Sequence, residues 1–497
     1  MGIIKKQSIK SSIFLFIGFG IGALNILVLF PKYLSPAQLG LTRAMIDISL
    51  TLSTLCTLGS IPVIYKFLPF YNERLPTDKN DLPFLTAVVC LVGFSLVLLS
   101  GFIFKDFIVR KLGKSPDFAT YFYTVYPFTL LLLMFTWLEA FSWGLRKTVI
   151  TNFLKETGVR ILTTVLILFY GVGLISIKAF INFFSILYLL PALILFYVLY
   201  ASGKWRFSIT GISNVTRRLK SRMISFGSFV FASHFLNVLA RTNDTILVIG
   251  LRGLADTGVF AIAGYIIAVM EIPQRSLNAI SIPILAESWK NNDKKNIENV
   301  YKKSVANLLV VGLGLLGLIL LNIHNITIFL GKNYAQIELI VFILGLARVI
   351  DLGTGINGLI IGTSNYWKFD FYTNVLYTLL SLPLNFFLIK YFGLKGLAIS
   401  SLISLTIYNS FRFVFLYTKF NFQPYNWKSV ISILIACATY LLVYFIPRSS
   451  NIFVDSAIKT FAFSVVFLSL IYACNVVPDM NGLVVSFKNK LLRVIKK

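Results

Sequence analysis

Apolar runs long enough to cross a bilayer recur along the entire chain, separated by short loops. A stretch of ~20 apolar residues spans the hydrocarbon as a helix, because only an internally hydrogen-bonded backbone is tolerated there. Hydropathy predicts about fourteen such spans. They cover residues 9–34, 40–68, 83–104, 118–144, 150–172, 177–201, 222–250, 256–286, 304–330, 334–362, 366–391, 394–418, 427–447 and 453–477. The second is read as stopping at Pro69. Composition agrees: of 497 residues, 57% are hydrophobic and only 13% charged, and mean hydropathy is +0.82. The expected fold class is all-α and polytopic. A transmembrane β-barrel would instead show short alternating segments.

Charge sets the orientation. The net charge of +27 would suggest nucleic acid in a soluble protein. Here the excess sits in loops, as Lys204, Arg206, Arg217, Arg218, Lys220 and Arg222, then in the WKNNDKKNIENVYKK segment, and finally in Lys488, Lys490, Arg493, Lys496 and Lys497. Lys5, Lys6 and Lys10 share that side, so no nucleic acid partner is expected and both termini are read as cytoplasmic. Lys105, Arg110, Lys111 and Lys114 form an exception on the other side. The run from Ile13 to Leu34 is too long for a signal-peptide core and is kept as a membrane helix. The four cysteines all fall in apolar runs and read as packing residues. No metal, P-loop or nucleophile-elbow motif occurs, and no loop is large enough for a catalytic domain, so an enzyme is not expected.

The chain compares with itself at a common offset of 218 residues: LGK at 112–114 with 330–332, Gly144 with Gly362, SPAQLGL at 35–41 with GLADTGV at 253–259, and Asn25 with Asn243. A duplication of six spans keeps both copies in the same orientation. That is a parallel repeat about an axis along the membrane normal, a plan that places a substrate path between lobes. The expected domains are residues 1–210 (helices 1–6), 211–420 (helices 7–12) and 421–497 (two further helices and a tail).

Ionisable residues at mid-span mark functional candidates, because burying an unpaired charge in hydrocarbon is costly. Span 7 carries His234, Asn237, Arg241 and Asp244 at steps of three, four and three, which form one polar stripe on a helix. Arg241 lies nine residues before Gly250, roughly 13 Å from the helix end at 1.5 Å per residue. Glu271 and Arg275 in span 8, and Arg348 and Asp351 in span 10, are further opposite-charge pairs. Each pair either lines a cavity or neutralises itself while packing two helices. Arg43 with Asp47 reads more as an interfacial pair. Glu139, Lys155, Glu156 and Arg160 read as a cytoplasmic entrance or as ordinary flanking charge.

Three stretches carry a family resemblance: FPKYLSPAQLGLTRAMIDIS at the first hairpin, NDTILVIGLRGLADTGVFAIAGYI at the seventh and eighth spans, and SIPILAESW before a basic loop. With the span layout, they resemble the multidrug/oligosaccharidyl-lipid/polysaccharide exporter superfamily, nearest its polysaccharide repeat-unit (O-antigen or capsule type) flippase branch. The resemblance implies two six-helix lobes around a central cavity and alternating access. It also implies movement of an undecaprenyl-pyrophosphate-linked oligosaccharide from the cytoplasmic to the outer leaflet of a bacterial inner membrane. The two extra spans favour lipid-linked substrates over the usually twelve-span drug antiporters. The alternatives are a cation-coupled small-molecule or multidrug antiporter, or a lipid II flippase, of the same fold. A membrane glycosyltransferase, polymerase or ligase would need larger loops.

For such a substrate, arginine suits the pyrophosphate because its fork binds phosphate oxygens in pairs. Cavity candidates are Arg241, Arg348, Arg275, Asn237, Asn25 and Asn243, and ion-coupling candidates are Asp244, Asp351 and Glu271. No cofactor or metal is expected, with Na⁺ or H⁺ as the coupling ion. The expected partners are the lipid-linked oligosaccharide, membrane lipid, a polysaccharide polymerase and other assembly proteins.

Overall fold

The computed structural model describes residues 14–477, apart from 16, 112–113 and 208–210. The lysines at positions 5, 6 and 10, the basic tail and the first two residues of the 112–114 repeat match lie outside the described residues. Among the described residues the regular structure is helical, with no strand. Ten helices among the described residues are long and apolar enough to cross a membrane. The count becomes eleven if Lys332–Gly353 and Asn357–Thr363, bent by 44°, form one span. Ile17–Tyr33 is a shorter apolar helix, and Gly393, at φ 63°, divides Trp367–Phe420 into two. Among the described residues, length and apolarity alone thus single out ten or eleven spans, where hydropathy leads one to expect fourteen.

Local chemistry sets the helix ends. Pro36–Cys56 starts with a capping box: Ser35 accepts from the Gln38 N–H, and the Gln38 side chain accepts from the Ser35 N–H, with Pro36 in the first turn. Asn426 and Ser429 do the same for Trp427–Tyr444. The second span departs from the sequence expectation. It breaks after Cys56, where Leu58 and Gly59 take positive φ, and resumes as Ser60–Arg74. That helix runs through Pro69 rather than stopping there. Proline removes one i→i−4 bond, but packing of Ile64, Phe67, Leu68 and Tyr71 in a buried cluster holds the turn.

Two segments widen into π-helix, a geometry frequent at functional sites. One is Asn25–Leu29 and the other Phe153–Gly158. In the first, the Phe30 N–H reaches the Asn25 carbonyl, just before Pro31, which has no N–H to offer.

The chain forms two compact units, Met1–Ala261 and Ile262–Lys497. In the first, Pro36–Cys56 packs on Val125–Gly144, and the 38-residue helix Asn214–Leu251 packs on both Pro36–Cys56 and Ser60–Arg74. Gly40 and Gly258 meet reciprocally. A Cβ on Gly40 would overlap the Leu254 carbonyl, and one on Gly258 would overlap the Pro36 carbonyl. Both pairs obey the 218-residue offset, so the contact is self-complementary, as across a two-fold axis. Small residues permit such close backbone approach between membrane helices.

In the second unit, Lys294–Leu330 packs on Ile337–Gly353, Trp427–Tyr444 and Ile452–Ala473. Phe463 and Phe467, stacked at 5.3 Å, join Val310 and Leu321 in the core that holds the last two helices. A buried ion pair, Lys459 to Asp455 at 2.8 Å, also receives the Asn325 amide at 2.7 Å.

Candidate functional site

In the first unit, polar side chains collect along the Asn214–Leu251 helix. His234, Asn237 and Arg241 are exposed and Asp244 is half-buried, so the predicted stripe exists as one face. Among the described residues, Arg241 makes no hydrogen bond or ion pair. Other charges of this unit are already balanced. Arg43 holds Asp47 at 2.8 Å, Lys155 holds Glu139 at 3.0 Å and Arg160 holds Glu156 at 3.3 Å. Lys155 and Arg241 are both close enough to act electrostatically on His234, and Asp47 acts in the same way on Asp244. The stripe, the Glu139–Lys155 pair and the Arg43–Asp47 pair thus belong to one polar region.

That region is joined to the rest of the unit by hydroxyl groups. Thr245 donates to the Asp47 carboxylate at 2.5 Å, and the hydroxyls of Thr51 and Thr242 meet at 2.7 Å. Asn237 donates only to the Ser233 carbonyl, one turn back on its own helix. The two repeat-related asparagines differ. Asn25 is buried, gives its amide N–H to the Arg160 carbonyl at 2.9 Å and accepts from Thr164 at 2.8 Å, so it ties the Asn25–Leu29 π-helix to the helix Val159–Gly171. Asn243 is also buried, and among the described residues its amide nitrogen has no hydrogen-bond acceptor.

In the second unit, the two pairs expected as separate are one chain. Arg275 holds Glu271 at 2.8 Å, Glu271 holds Arg348 at 2.5 Å, and Arg348 holds Asp351 at 3.1 Å. Asn409 continues it: its amide donates to Asp351 at 3.0 Å, while its carbonyl oxygen accepts from Thr354 at 2.9 Å and Asn357 at 3.0 Å. Two arginines meet two carboxylates, so the chain is neutral, and only Arg275 is largely exposed, at 71% of its side chain. A cavity of about 440 Å³ lies beside Asn409 and Thr354 and is also lined by Leu309, Tyr425, Asn426 and Ser429.

A second network was not anticipated. Arg412, buried, pairs with Asp370, donates to Thr373 at 3.2 Å and lies 4.0 Å over the Tyr408 ring. The Tyr408 hydroxyl donates to Asn374 at 2.9 Å. Arg412, an arginine within the twelfth expected span, was the available signal, by the same mid-span rule that singled out Arg241 and Arg348. Among the described residues no cluster of His, Cys, Asp or Glu could hold a metal ion.

Comparison with known proteins adds the family context. A family model described as "Polysaccharide biosynthesis protein" matches residues 87–339. No curated protein matches the chain by sequence. Among solved structures, the lipid II flippase MurJ in an inward closed conformation aligns with a TM-score of 0.71 and 14% identity, covering 93% of this chain and 97% of that one. A MATE family multidrug resistance transporter of the MOP superfamily, inward-facing, aligns at 0.60 and 12%, covering 86% and 95%. The Vibrio cholerae MATE transporter VcmN aligns at 0.51 and 12%, covering 84% and 99%. The fold is therefore that of MurJ and the MATE transporters, in a multi-pass membrane protein.

Proposed function

We propose, because this chain belongs to the polysaccharide biosynthesis protein family, within the multidrug/oligosaccharidyl-lipid/polysaccharide (MOP) exporter superfamily, that it is a flippase. It moves an undecaprenyl-pyrophosphate-linked oligosaccharide repeat unit from the cytoplasmic to the outer leaflet for cell-surface polysaccharide assembly. The observation that carries this is the family match over residues 87–339. The work is transport, without a catalytic step. The membrane is the bacterial plasma membrane, with both termini cytoplasmic. Residues 1–210 and 211–420 act as the two lobes, and 421–497 supplies the additional helices. The protein partners are a polysaccharide polymerase and other assembly proteins.

Arg241 is the residue we assign to the pyrophosphate. It is an exposed cation on a membrane helix, and its fork matches two phosphate oxygens. Asn237, Asn243 and Asn25 flank it in sequence or repeat position, with Asn25 in a holding role. Arg348 and Arg275 are further cavity candidates within a neutral chain whose carboxylates, Glu271 and Asp351, together with Asp244, are the ion-coupling candidates for Na⁺ or H⁺. A lipid II flippase is the second reading, favoured by the structural likeness to MurJ over 93% of the chain.

The test is reconstitution in vesicles with fluorescent undecaprenyl-pyrophosphate oligosaccharide, read by outer-leaflet accessibility. Protein-containing vesicles should expose the label far faster than empty ones. Purified protein that moved no such lipid but exported cationic dyes would be an antiporter, and the flippase reading would fall.

A further inference from the structure

Two half-exposed rings stand beside the Glu139–Lys155 pair. Tyr65, on Ser60–Arg74, and Trp143, on Val125–Gly144, have centroids 5.9 Å apart and planes tilted by 33°. Each is 42% exposed. The Trp143 indole N–H donates to Thr151 at 2.9 Å, which fixes the ring's direction. Among the described residues the Tyr65 hydroxyl makes no hydrogen bond, so it is free to donate or accept.

Exposed aromatics on membrane helices ordinarily meet lipid, at the headgroup belt above all. These two share a face with charge instead. Glu139 and Trp143 are four apart on one helix and so lie on the same side. The Glu139 carboxylate is near enough to act on Tyr65. Lys155 reaches Glu139 at 3.0 Å from a third helix, and His234 comes into the field of Lys155 from a fourth. A lipid-facing surface does not gather ionisable groups from several helices. The rings therefore adjoin the polar region to which His234 and Arg241 belong. Arg241 lies seven residues beyond His234, about 10 Å further along the same helix at 1.5 Å per residue.

We infer that Tyr65 and Trp143 form a stacking platform for a pyranose ring of the oligosaccharide, with Lys155 and the Tyr65 hydroxyl as its hydrogen-bonding wall. This rests on the flippase reading and names its sugar subsite. One face of a pyranose presents C–H groups with partial positive charge, which suit the negative face of an aromatic ring. Hydroxyls at the sugar's rim meet the ammonium and the phenol. Arg241, deeper along the helix, then falls on the pyrophosphate side of the same headgroup.

The test uses the full chain in lipid nanodiscs and two probes: undecaprenyl pyrophosphate bearing an N-acetylglucosamine trisaccharide, and undecaprenyl pyrophosphate alone. Tyr65→Leu and Trp143→Leu should each weaken the sugar-bearing probe about tenfold and leave the bare lipid within about twofold, while Trp143→Phe retains most of the affinity. Unchanged affinity for the sugar-bearing probe in both leucine variants overturns the platform, as does an equal loss for both probes. Either result with wild-type transport intact leaves the flippase reading standing. Wild-type protein that binds neither probe overturns the flippase reading, and the platform with it.

Discussion

Arg241 and Arg348 look alike in the sequence, each an arginine in an apolar span with a carboxylate three residues on. The fold brings different partners to them. Arg348 is held from both sides by Glu271 and Asp351, whereas Arg241 is exposed without an ion pair among the described residues. Arg241→Ala should therefore abolish lipid transport while expression and melting temperature stay at wild-type values. Arg348→Ala should lower stability by about 1–3 kcal/mol, read by thermal unfolding in detergent, because it strips two carboxylates of a donor. Full transport by Arg241→Ala would return that residue to packing. The mid-span ionisable rule found these arginines from sequence, since hydrocarbon makes every such charge conspicuous. The Glu271–Arg348 link was not legible, because the partners lie on helices far apart in sequence. Nor was the Tyr65–Trp143 pair: with 15% aromatic residues, no ring stands out until neighbours single it out.

At the scale of elements, the Asn214–Leu251 helix is fastened at several levels. Near its start, Asp81 accepts from the Ser213 N–H and the Thr216 hydroxyl, each at 2.8 Å, and the Tyr71 and Thr216 hydroxyls meet at 2.6 Å. Further along come the Thr51–Thr242 and Asp47–Thr245 contacts. If this helix must part from Pro36–Cys56 during each cycle, joining them should stop transport. In a background lacking the four native cysteines, Thr51→Cys with Thr242→Cys should cross-link on oxidation and block lipid movement, and reductant should restore it. Undiminished transport by the cross-linked protein would show that these two helices move as one. The helix ends show where sequence reading works at this scale. Gly393 falls between the eleventh and twelfth expected spans because a positive φ suits glycine. Pro69 misled because proline's cost is local and tertiary packing outweighs it.

For the whole molecule, the all-helical membrane class was legible because hydrocarbon leaves a chain few other ways to satisfy its backbone. The superfamily was legible from span layout and loop motifs together. The number of spans was less so, since bends, π-segments and a glycine break blur what hydropathy treats as uniform runs. Topology follows from charge: the lysine- and arginine-rich loops should face the cytoplasm. Reporters that work only in the cytoplasm should be active when fused at either terminus, and periplasmic reporters should be silent at both. A single active periplasmic fusion at one end would mean an odd number of spans.

The Gly40–Gly258 crossing has a consequence for how the two copies are free to differ. A self-complementary contact inside one chain is the contact two separate, identical chains would make in a symmetric pair. Covalent joining removes the need for identical partners, so each copy can carry groups its twin lacks. At the shared offset, Arg241 stands opposite Ala23, Asp244 opposite Ile26, Arg348 opposite Leu130 and Asp351 opposite Leu133. In the other direction, Glu139 stands opposite Asn357 and Lys155 opposite Thr373. The frame is doubled but the charges are not. The cargo proposed above, with an anionic end and a sugar end, is itself lopsided, and charges that differ between the copies suit it better than doubled ones would.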